Sequence, residues 1–423
     1  MCLKTSLWSK FIALALALVL IVPILVACGK EKEKTPVPTP IATSTPVLTA
    51  TPTVTPALSP TPTTAGPVKI GAIQAWSGPM TMAGMLADQI IALVEEQVKN
   101  MGGILGGREV QFIRGDDRGN TADAAAQAKK LALEDKVSII TLGGESAAQF
   151  TAVADVVEPL KVPYVAMATI YGLATGKYNY SACLFTHEPA IARIANFLIE
   201  VIKPKTVAFL GYDAEDSRSF LNGAEGVAGV RDRLKAKGID SIYEQYFPQD
   251  TMDYSPYLTK IIYEKPDVVV LELSDMGSAI AINKQIMELG GWGNIKVFNA
   301  ASTSSGQKVV SMPVALGTYV SVEWLAGSDD PGMKVFEDAF KQKYGRLPDP
   351  SMAYYYNCIW IAIKAIQLAG TDNPIKVGEA LRSGKVEWDS AWGHLRIDTD
   401  GMAIFNSIVT QVQEGGKLVK VWP

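Results

Sequence analysis

The sequence predicts an α/β protein with two lobes, each built on a doubly wound parallel sheet. From Val68 onward, short apolar runs rich in β-branched residues alternate with longer, alanine-rich runs that have helical spacing. Strands that alternate with helices imply parallel sheets covered by helices on both faces. The alternating region covers residues 68–423, which is more chain than one doubly wound unit needs. Two α/β lobes therefore follow.

The individual elements are predicted from their apolar pattern and from their lengths. Strands are expected at 68–76, 110–113, 137–142, 163–167, 207–210, 268–271 and 295–298. Helices are expected at 82–101, 121–134, 147–157, 190–201, 217–237 and 278–289. In sheets of this kind, ligands bind beyond the carboxyl ends of the strands. The loops that follow these strands are therefore where a functional site is expected.

The N-terminus has the three parts of a secretory signal. Lysines precede an apolar run from Phe11 to Ala27, and a polar segment follows Cys28-Gly29. An uncleaved transmembrane anchor is the alternative, but about seventeen apolar residues are close to the lower limit for crossing a bilayer. The sequence Leu-Val-Ala-Cys resembles the bacterial lipobox, in which the cysteine carries the lipids. We therefore predict a lipoprotein signal peptide over 1–27 and a lipid on Cys28, which holds the protein at a membrane.

A tether is predicted between the lipid and the lobes, over 28–67. From Thr35 to Pro67 the chain repeats threonine and proline and contains no charged residue. Such a segment cannot bury enough apolar surface to offset the entropy of ordering it, so an extended, polyproline-like conformation is expected. The lobes should then work just outside a membrane.

Composition excludes several classes of function. The chain has a net charge of −4, and residues 1–67 contain five lysines and two glutamates, so the rest carries −7. This gives no support for a nucleic-acid binder, which needs a basic surface. The four cysteines, Cys2, Cys28, Cys183 and Cys358, are too few and too scattered for a disulfide framework or a zinc site. No cofactor or metal is expected.

Three predicted strand-to-helix loops carry hydroxyl groups beside backbone N–H groups. They contain Ser77, Ser146 and Thr169. Each residue alone is explained as a helix cap, but a helix N-terminus also favours an anionic group such as a carboxylate. Three hydroxyls at one sheet edge favour a site for a small ligand.

Several motifs, taken in order, resemble one known family. They are Lys69-Ile-Gly, Ser77-Gly-Pro79, Asn100-Met-Gly-Gly-Ile-Leu-Gly-Gly-Arg108, Gly115-Asp-Asp117, Gly143-Gly-Glu-Ser146, Val162-Pro-Tyr-Val, Ala168-Thr169, Asp253-Tyr-Ser-Pro-Tyr-Leu258 and Pro266-Asp-Val-Val269. They look like the solute-binding proteins of branched-chain amino acid ABC transporters. The resemblance implies a type I periplasmic-binding-protein fold, with two lobes joined by a three-stranded hinge. It places lobe 1 at 68–189 and 325–395, and lobe 2 at 190–324 and 396–423. This division puts Cys183 and Cys358 in the same lobe and so allows a bridge between them, although two buried thiols are the simpler interpretation.

The resemblance also implies ligand-binding residues in the first lobe. In that family, this lobe holds the carboxylate of an amino acid through a serine after the third strand and an Ala-Thr pair after the fourth. Ser146, Ala168 and Thr169 match those positions. The backbone amide of Ala147 is expected to contribute beside Ser146. The loop with Trp76 and Ser77 completes the predicted contacts of lobe 1.

In the second lobe the sequence departs from the family pattern. Two aromatic positions are occupied by Asp216 and Asp275, and the acid that pairs with the ligand ammonium is replaced by Ser302. The ammonium partner is then Asp216 or Asp275, or the ligand is not an amino acid. These three residues are the predicted ligand contacts of lobe 2.

The predicted function is capture of a small polar solute, an amino acid or a related carboxylate or amide, for delivery to the permease subunits of an ABC importer. The protein is expected to be a monomer that closes its lobes by a hinge motion and that catalyses no reaction. A ligand-sensing subunit of a receptor is the alternative. A serine hydrolase is a further one, because Gly144-Glu-Ser-Ala-Ala148 nearly matches the nucleophile elbow G-x-S-x-G. However, the last glycine is absent, and His394 is the only late histidine.

Overall fold

A computed structural model describes residues 66–78, 80–144, 146–169, 177–185, 187–213, 215–224, 227–248, 251–273, 276–301, 305–405 and 407–422. These residues belong to one compact unit, Ser59–Pro423. The predicted signal peptide, the lipidation site Cys28 and the tether up to residue 65 lie outside the described residues. Among the helices that are described, none is long and apolar enough to cross a membrane.

Strands and helices alternate along the described chain. The strands are β1 Val68–Gln74, β2 Val110–Asp116, β3 Ile139–Thr141, β4 Tyr164–Thr169, β5 Ser181–Phe185, β6 Thr206–Tyr212, β7 Gly223–Ala224, β8 Val227–Ala228, β9 Asp240–Phe247, β10 Val268–Glu272, β11 Lys296–Asn299, β12 Tyr319–Val322, β13 Val386–Ser390, β14 Gly393–Ile397, β15 Ala403–Ile404, β16 Ile408–Val412 and β17 Leu418–Trp422. The helices are α1 Thr81–Asn100, α2 Thr121–Leu133, α3 Ala147–Val157, α4 His187–Phe197, α5 Glu215–Asn222, α6 Val230–Lys235, α7 Ser255–Glu264, α8 Met276–Glu288, α9 Gln307–Val310, α10 Pro331–Tyr344, α11 Met352–Ala369 and α12 Pro374–Leu381. A π-helical turn, Leu198–Ile202, extends α4.

Two sheets organise the molecule, as predicted. The first has five parallel strands in the order β2-β1-β3-β4-β5. The second has seven strands in the order β17-β16-β12-β11-β10-β6-β9. Its strands β6 and β9–β12 are parallel, whereas β16 pairs antiparallel with both of its neighbours, β12 and β17. We call each sheet with its packed helices a lobe, so that lobe 1 contains the first sheet and lobe 2 the second.

The chain returns to lobe 2 later than predicted. We expected the last crossing at residue 396, but β14 and β15 belong to a small antiparallel sheet with β13. Ala403 and Phe405 are buried in the main core of lobe 1. The next strand to join the second sheet is β16, which begins at Ile408. Short antiparallel strands contain few apolar residues, so the apolar pattern of the sequence did not predict this extension of lobe 1.

The predicted helix over 217–237 is wrong, because glycines interrupt it. The chain forms α5, a short hairpin of β7 and β8, and then α6. Gly223 has a φ of +80°, which suits glycine and strains other residues. A Cβ atom at Gly229 would lie only 2.2 Å from the carbonyl oxygen of Leu221. The chain can therefore pass this close to the end of α5 only at a glycine.

Helix α11 is the central core element of lobe 1. It is buried along most of its length, and it packs on α1 and on strands β3 and β4. Cys358 on this helix and Cys183 on β5 are buried thiols that form no disulfide, so the alternative of a bridge between them is wrong. Burial raises the pKa of the Cys358 thiol to about 11. Its sulfur lies 3.1 Å from the carbonyl oxygen of Val165, so α11 is seated directly on β4.

The start of the described chain is fixed to lobe 1 by one arginine. The Nε of Arg108 donates to the carbonyl oxygen of Gly66 at 2.8 Å, and its Nη2 lies 2.7 Å from a carboxylate oxygen of Asp372. The Arg108 side chain is mostly buried. The predicted tether therefore enters the lobe at a defined point.

Candidate functional site

The carboxyl edge of the first sheet brings together the predicted residues of lobe 1. Strands β1, β3 and β4 are direct neighbours in this sheet. Ser77 follows β1, Ser146 follows β3, and Ala168 and Thr169 end β4. Ala147 is the first residue of α3. Since the strands are parallel, all these positions lie at the same edge.

The loop with Trp76 and Ser77 is held by Asp116, at the end of the neighbouring strand β2. The carboxylate of Asp116 accepts hydrogen bonds from the N–H groups of Trp76 at 2.9 Å and Ser77 at 3.2 Å. It also accepts one from the Ser77 hydroxyl at 2.6 Å. Burial favours a higher pKa for Asp116, but the hydrogen bonds from Ser77, Arg118 and Trp76 outweigh it and lower the pKa. Asp116 therefore stays ionised and fixes this loop.

The indole of Trp76 is fixed as well. Its Nε1 donates to a carboxylate oxygen of Asp88 at 2.9 Å, and the same oxygen accepts from the Nε of Arg114 at 2.8 Å. Helix α1 approaches the Trp76 backbone closely at Gly84, where a Cβ atom would lie 2.8 Å from the Trp76 Cα. These contacts fix the position of the ring.

The loop between β3 and Ser146 makes a tight reversal. Leu142, Gly143 and Gly144 all have φ values near +65°. A Cβ atom at Gly144 would lie 2.6 Å from the Tyr164 hydroxyl oxygen, and the carbonyl oxygen of Gly143 accepts from the Met167 N–H at 3.0 Å. The loop therefore lies directly against β4 and brings Ser146 close to the end of that strand.

Ser146 is the N-cap of α3, so the capping interpretation of this residue is correct. Its hydroxyl accepts from the N–H of Gln149 at 3.3 Å, and its backbone is extended. The side chain is nevertheless exposed. The first turn of any helix has N–H groups without intrahelical partners, and these N–H groups together with the helix dipole favour an anion. Capping and ligand binding are therefore compatible at Ser146.

Asp117, next to Asp116, has a structural role. It is buried, and burial raises its pKa. It accepts from the N–H of Gly119 at 2.8 Å and lies 3.4 Å from the side-chain nitrogen of Gln149 on α3. Asp117 therefore connects the turn after β2 to α3. Within the described part of the chain, no cluster of three or more histidine, cysteine, aspartate or glutamate residues could hold a metal ion.

The predicted residues of lobe 2 also follow neighbouring strands. Asp216 lies in the first turn of α5, which follows β6. Asp275 and Ser302, which come after β10 and β11, lie outside the described residues. Strands β6, β10 and β11 are adjacent in the second sheet.

The structure adds two acidic residues that the sequence analysis did not select. Glu272 ends β10 and accepts a hydrogen bond from the Ser217 hydroxyl on α5. Glu323, directly after β12, is buried and accepts from the Tyr354 hydroxyl at 3.0 Å. Tyr354 lies on α11, so this bond joins the end of a lobe 2 strand to a helix of lobe 1. The only sequence signal that could have selected Glu272 and Glu323 is the position of each acid at the end of an apolar strand.

The hydrolase alternative finds no support in the hydrogen bonds of these residues. His394 lies on β14, where its Nδ1 is 3.3 Å from a carboxylate oxygen of Asp389 on the neighbouring strand. The Ser146 hydroxyl accepts from Gln149, as described above. Neither residue is hydrogen-bonded to the other in the way a nucleophile and its base would be.

Two lobes with parallel sheets, and polar groups gathered at the carboxyl edges of both sheets, define a two-lobed solute-binding protein. A family model described as periplasmic binding protein matches residues 67–417. The chain belongs to the periplasmic binding protein family and is a solute-binding protein of the ABC transporter type.

Individual relatives agree with this assignment. The chain is 24% identical over 372 residues to Leu/Ile/Val-binding protein homolog 7 of Brucella abortus, covering 84% of this chain and 91% of that protein. A branched-chain amino acid transporter substrate-binding protein of Streptococcus pneumoniae, solved with isoleucine, has a TM-score of 0.67 and 20% identity, covering 84% of this chain and all of the other. A solute-binding protein of Rhodopseudomonas palustris, solved with 3,4-dihydroxybenzoic acid, has a TM-score of 0.69 and 23% identity, covering 84% of this chain and 96% of that protein.

Proposed function

We propose that this protein is an extracytoplasmic, lipid-anchored receptor that captures a small carboxylate-bearing solute, an amino acid or a related compound, and delivers it to an ABC importer. The lobes close around the solute by a hinge motion, without covalent chemistry. The protein acts as a monomer, and its partners are the permease subunits of the importer and the membrane that holds the lipid on Cys28.

The observation that carries this proposal is the arrangement at the edge of lobe 1. Ser77, Ser146 and Thr169 follow or end three adjacent strands, and Ser146 begins a helix of eleven residues. The Ser77 hydroxyl already donates to Asp116, so we propose that the hydroxyls of Ser146 and Thr169 and the N–H groups of the first turn of α3, including that of Ala147, hold the carboxylate. In this proposal the backbone of Ala168 and the indole ring of Trp76, which Asp88 holds in place, also contact the solute.

Lobe 2 supplies acidic groups, whereas lobe 1 supplies hydrogen-bond donors. Asp213 forms an ion pair with Arg218 at 2.6 Å, so it is already neutralised. Asp216 and Asp275 then remain as the proposed partners of a positively charged or donor group on the solute, and Ser302 contributes a hydroxyl. A solute with a carboxylate at one end and an ammonium at the other satisfies both lobes. The isoleucine and 3,4-dihydroxybenzoic acid bound by two structural neighbours share the carboxylate.

A thermal-shift screen of the full-length protein tests the proposal. The panel contains amino acids, their amides and aromatic carboxylic acids. A compound present at one hundred times its dissociation constant should stabilise the folded state by about 2.7 kcal/mol. Stabilisation by carboxylates, and not by the matching amides, supports the role of lobe 1. If neutral compounds without a carboxylate are the only ones that stabilise the protein, the proposed role of lobe 1 is wrong.

The anchor has its own test. Replacing Cys28 with serine removes the proposed lipid site, so the protein should leave the membrane fraction while ligand binding is kept. Lipid labelling of the Cys28→Ser variant at the level of the parent would refute the anchoring proposal.

A further inference from the structure

A second concave surface lies at the opposite ends of the lobe 2 strands. The loops that lead into β6, β10 and β11 enclose a groove with a volume of about 820 Å³, which is within the usual range for ligand sites. Its walls come from three segments, 202–205, 262–267 and 289–296. Because the solute site is proposed at the carboxyl ends of these strands, the groove is separated from it by the length of β6, about 20 Å.

Four lysines line this groove, which we call the lysine groove: Lys203, Lys205, Lys265 and Lys296. All four are exposed. Within the described chain, none of their ammonium groups lies within 4.0 Å of a carboxylate. The adjoining Glu264 is paired with Lys260 on the same helix, at 2.5 Å. This concentration of positive charge contrasts with the net −7 of residues 68–423.

The one acid among the residues that line the groove offsets only part of this positive charge. A carboxylate oxygen of Asp267 accepts hydrogen bonds from the backbone N–H groups of Lys205, at 2.7 Å, and Thr206, at 3.1 Å. These bonds, together with the nearby positive charge of Lys205, lower the pKa of Asp267 and keep it ionised. Asp267 thereby joins the starts of β6 and β10, and four positive charges face one negative charge.

The local backbone sets the position of two of these lysines. Lys203 and Lys265 each follow a helical segment, have φ values of 51° and 52°, and precede a proline. The same Lys-Pro turn therefore occurs twice, once before β6 and once before β10. Trp292 and the two prolines, all buried, also line the groove.

We propose that the lysine groove binds a phosphate-bearing anion with two or more negative charges. Lysine is a common phosphate ligand in proteins, and it acts there as a point charge. A single carboxylate would leave most of the four ammonium groups unpaired, whereas a polyphosphate or several phosphate groups can pair with all of them. The phosphate can belong to a lipid headgroup or to a soluble compound.

Sodium tripolyphosphate is a suitable probe, titrated calorimetrically into the full-length protein held in nanodiscs of neutral phosphatidylcholine. The double variant Lys203→Asn and Lys265→Asn removes two charges, and asparagine tolerates positive φ. We expect it to weaken binding by about tenfold or more. Binding to the parent should also weaken as salt is added.

Lobe 1 offers a matched control. Lys136 and Lys161 are exposed, have φ values of 56° and 55°, and precede β3 and β4. The double variant Lys136→Asn and Lys161→Asn should bind tripolyphosphate as the parent does. Equal loss in both double variants, or no binding to the parent, overturns the proposal.

Lipid composition identifies the source of the phosphate. In nanodiscs that contain phosphatidylglycerol, lipid headgroups in the groove should reduce the apparent affinity of the parent for tripolyphosphate. That result supports a lipid ligand if the Lys203→Asn and Lys265→Asn variant shows no such reduction. An unchanged affinity of the parent supports a soluble phosphate compound.

Discussion

The carboxyl edges of the two sheets have the same topology and opposite chemistry. At the lobe 1 edge, Ser77, Ser146 and Thr169 carry hydroxyls, and the acids at the end of β2, Asp116 and Asp117, accept hydrogen bonds from the surrounding loops. At the lobe 2 edge, acids follow or end β6, β10 and β12: Asp213, Asp216, Glu272, Asp275 and Glu323. In the proposed function, the strand ends that the two lobes share are where the solute binds, and the different residues at those ends select the charges it carries.

The largest expected effect comes from placing an acid at the lobe 1 edge. Aspartate caps helices as well as serine does, so Ser146→Asp should fold normally. Its charge would oppose the ligand carboxylate, and like charges in contact cost several kcal/mol. We expect calorimetry to detect no binding of the carboxylates that stabilise the parent. Asn373→Asp makes the same kind of change at the N-cap of α12 and should bind normally. Unchanged affinity in Ser146→Asp would show that the carboxylate does not bind at α3.

The acids of lobe 2 should give the next largest effect. Asp216→Asn and Asp275→Asn keep the side-chain shape and remove the charge. Loss of one partner of a buried ion pair costs about 2 to 5 kcal/mol, so at least one variant should bind the solute much more weakly. It should also fail to close, because closure depends on contacts made only in the closed state. If both variants bind and close like the parent, the solute has no ammonium recognised there.

Removing single hydroxyls from lobe 1 should have a moderate effect. Ser146→Ala and Thr169→Val each leave part of a buried carboxylate without a hydrogen bond, so affinity should fall by about 1 to 3 kcal/mol. Ser146→Ala also removes a helix cap, which costs about 1 kcal/mol of stability. Asn373→Ala removes a cap alone and separates the two effects, because it should lower the melting temperature without changing affinity. Normal affinity in Ser146→Ala would assign Ser146 to capping only.

The smallest effect on affinity is expected at the hydrogen bond between the lobes. Tyr354→Phe removes the donor to the buried Glu323, which should lower the free energy of unfolding by about 1 to 2 kcal/mol. Tyr178→Phe is the control, since its hydroxyl donates to the more exposed Asp155 at 2.9 Å and its loss should cost less. Affinity should stay within about threefold of the parent. A large loss of affinity in Tyr354→Phe would place this pair in the solute site.

Most of the fold was predictable because its elements have strong local signals. Helix α3 was predicted at its observed bounds, since Ser146 caps a regular apolar pattern. The prediction of one helix over 217–237 was wrong because its glycines act through close backbone contacts, such as that of Gly229 with Leu221. These contacts depend on tertiary structure. The extension of lobe 1 to Phe405 was not predicted, for a related reason. Its short strands are stabilised by packing on the core and carry little pattern of their own.

Residues of the candidate site could be predicted only where their positions after parallel strands showed that they lie at the same sheet edge. Ser77, Ser146 and Thr169 could be grouped because they follow or end strands that a parallel sheet aligns at one edge. Glu323 could not be selected, because an acid after a strand usually faces water. Its burial, and its hydrogen bond from Tyr354, 31 residues further along the chain, depend on tertiary structure. The role of Asp116 in holding the Ser77 loop likewise depends on the pairing of β1 with β2.

The most direct test of the central claim is small-angle scattering of the full-length protein, with and without a solute found in the screen. If lobe 1 binds the carboxylate and lobe 2 the other end of the solute, the parent should show a smaller radius of gyration when the solute is bound, and Ser146→Asp should show no change. A solute that binds the parent tightly and leaves the radius of gyration unchanged would contradict closure of two complementary lobes around it.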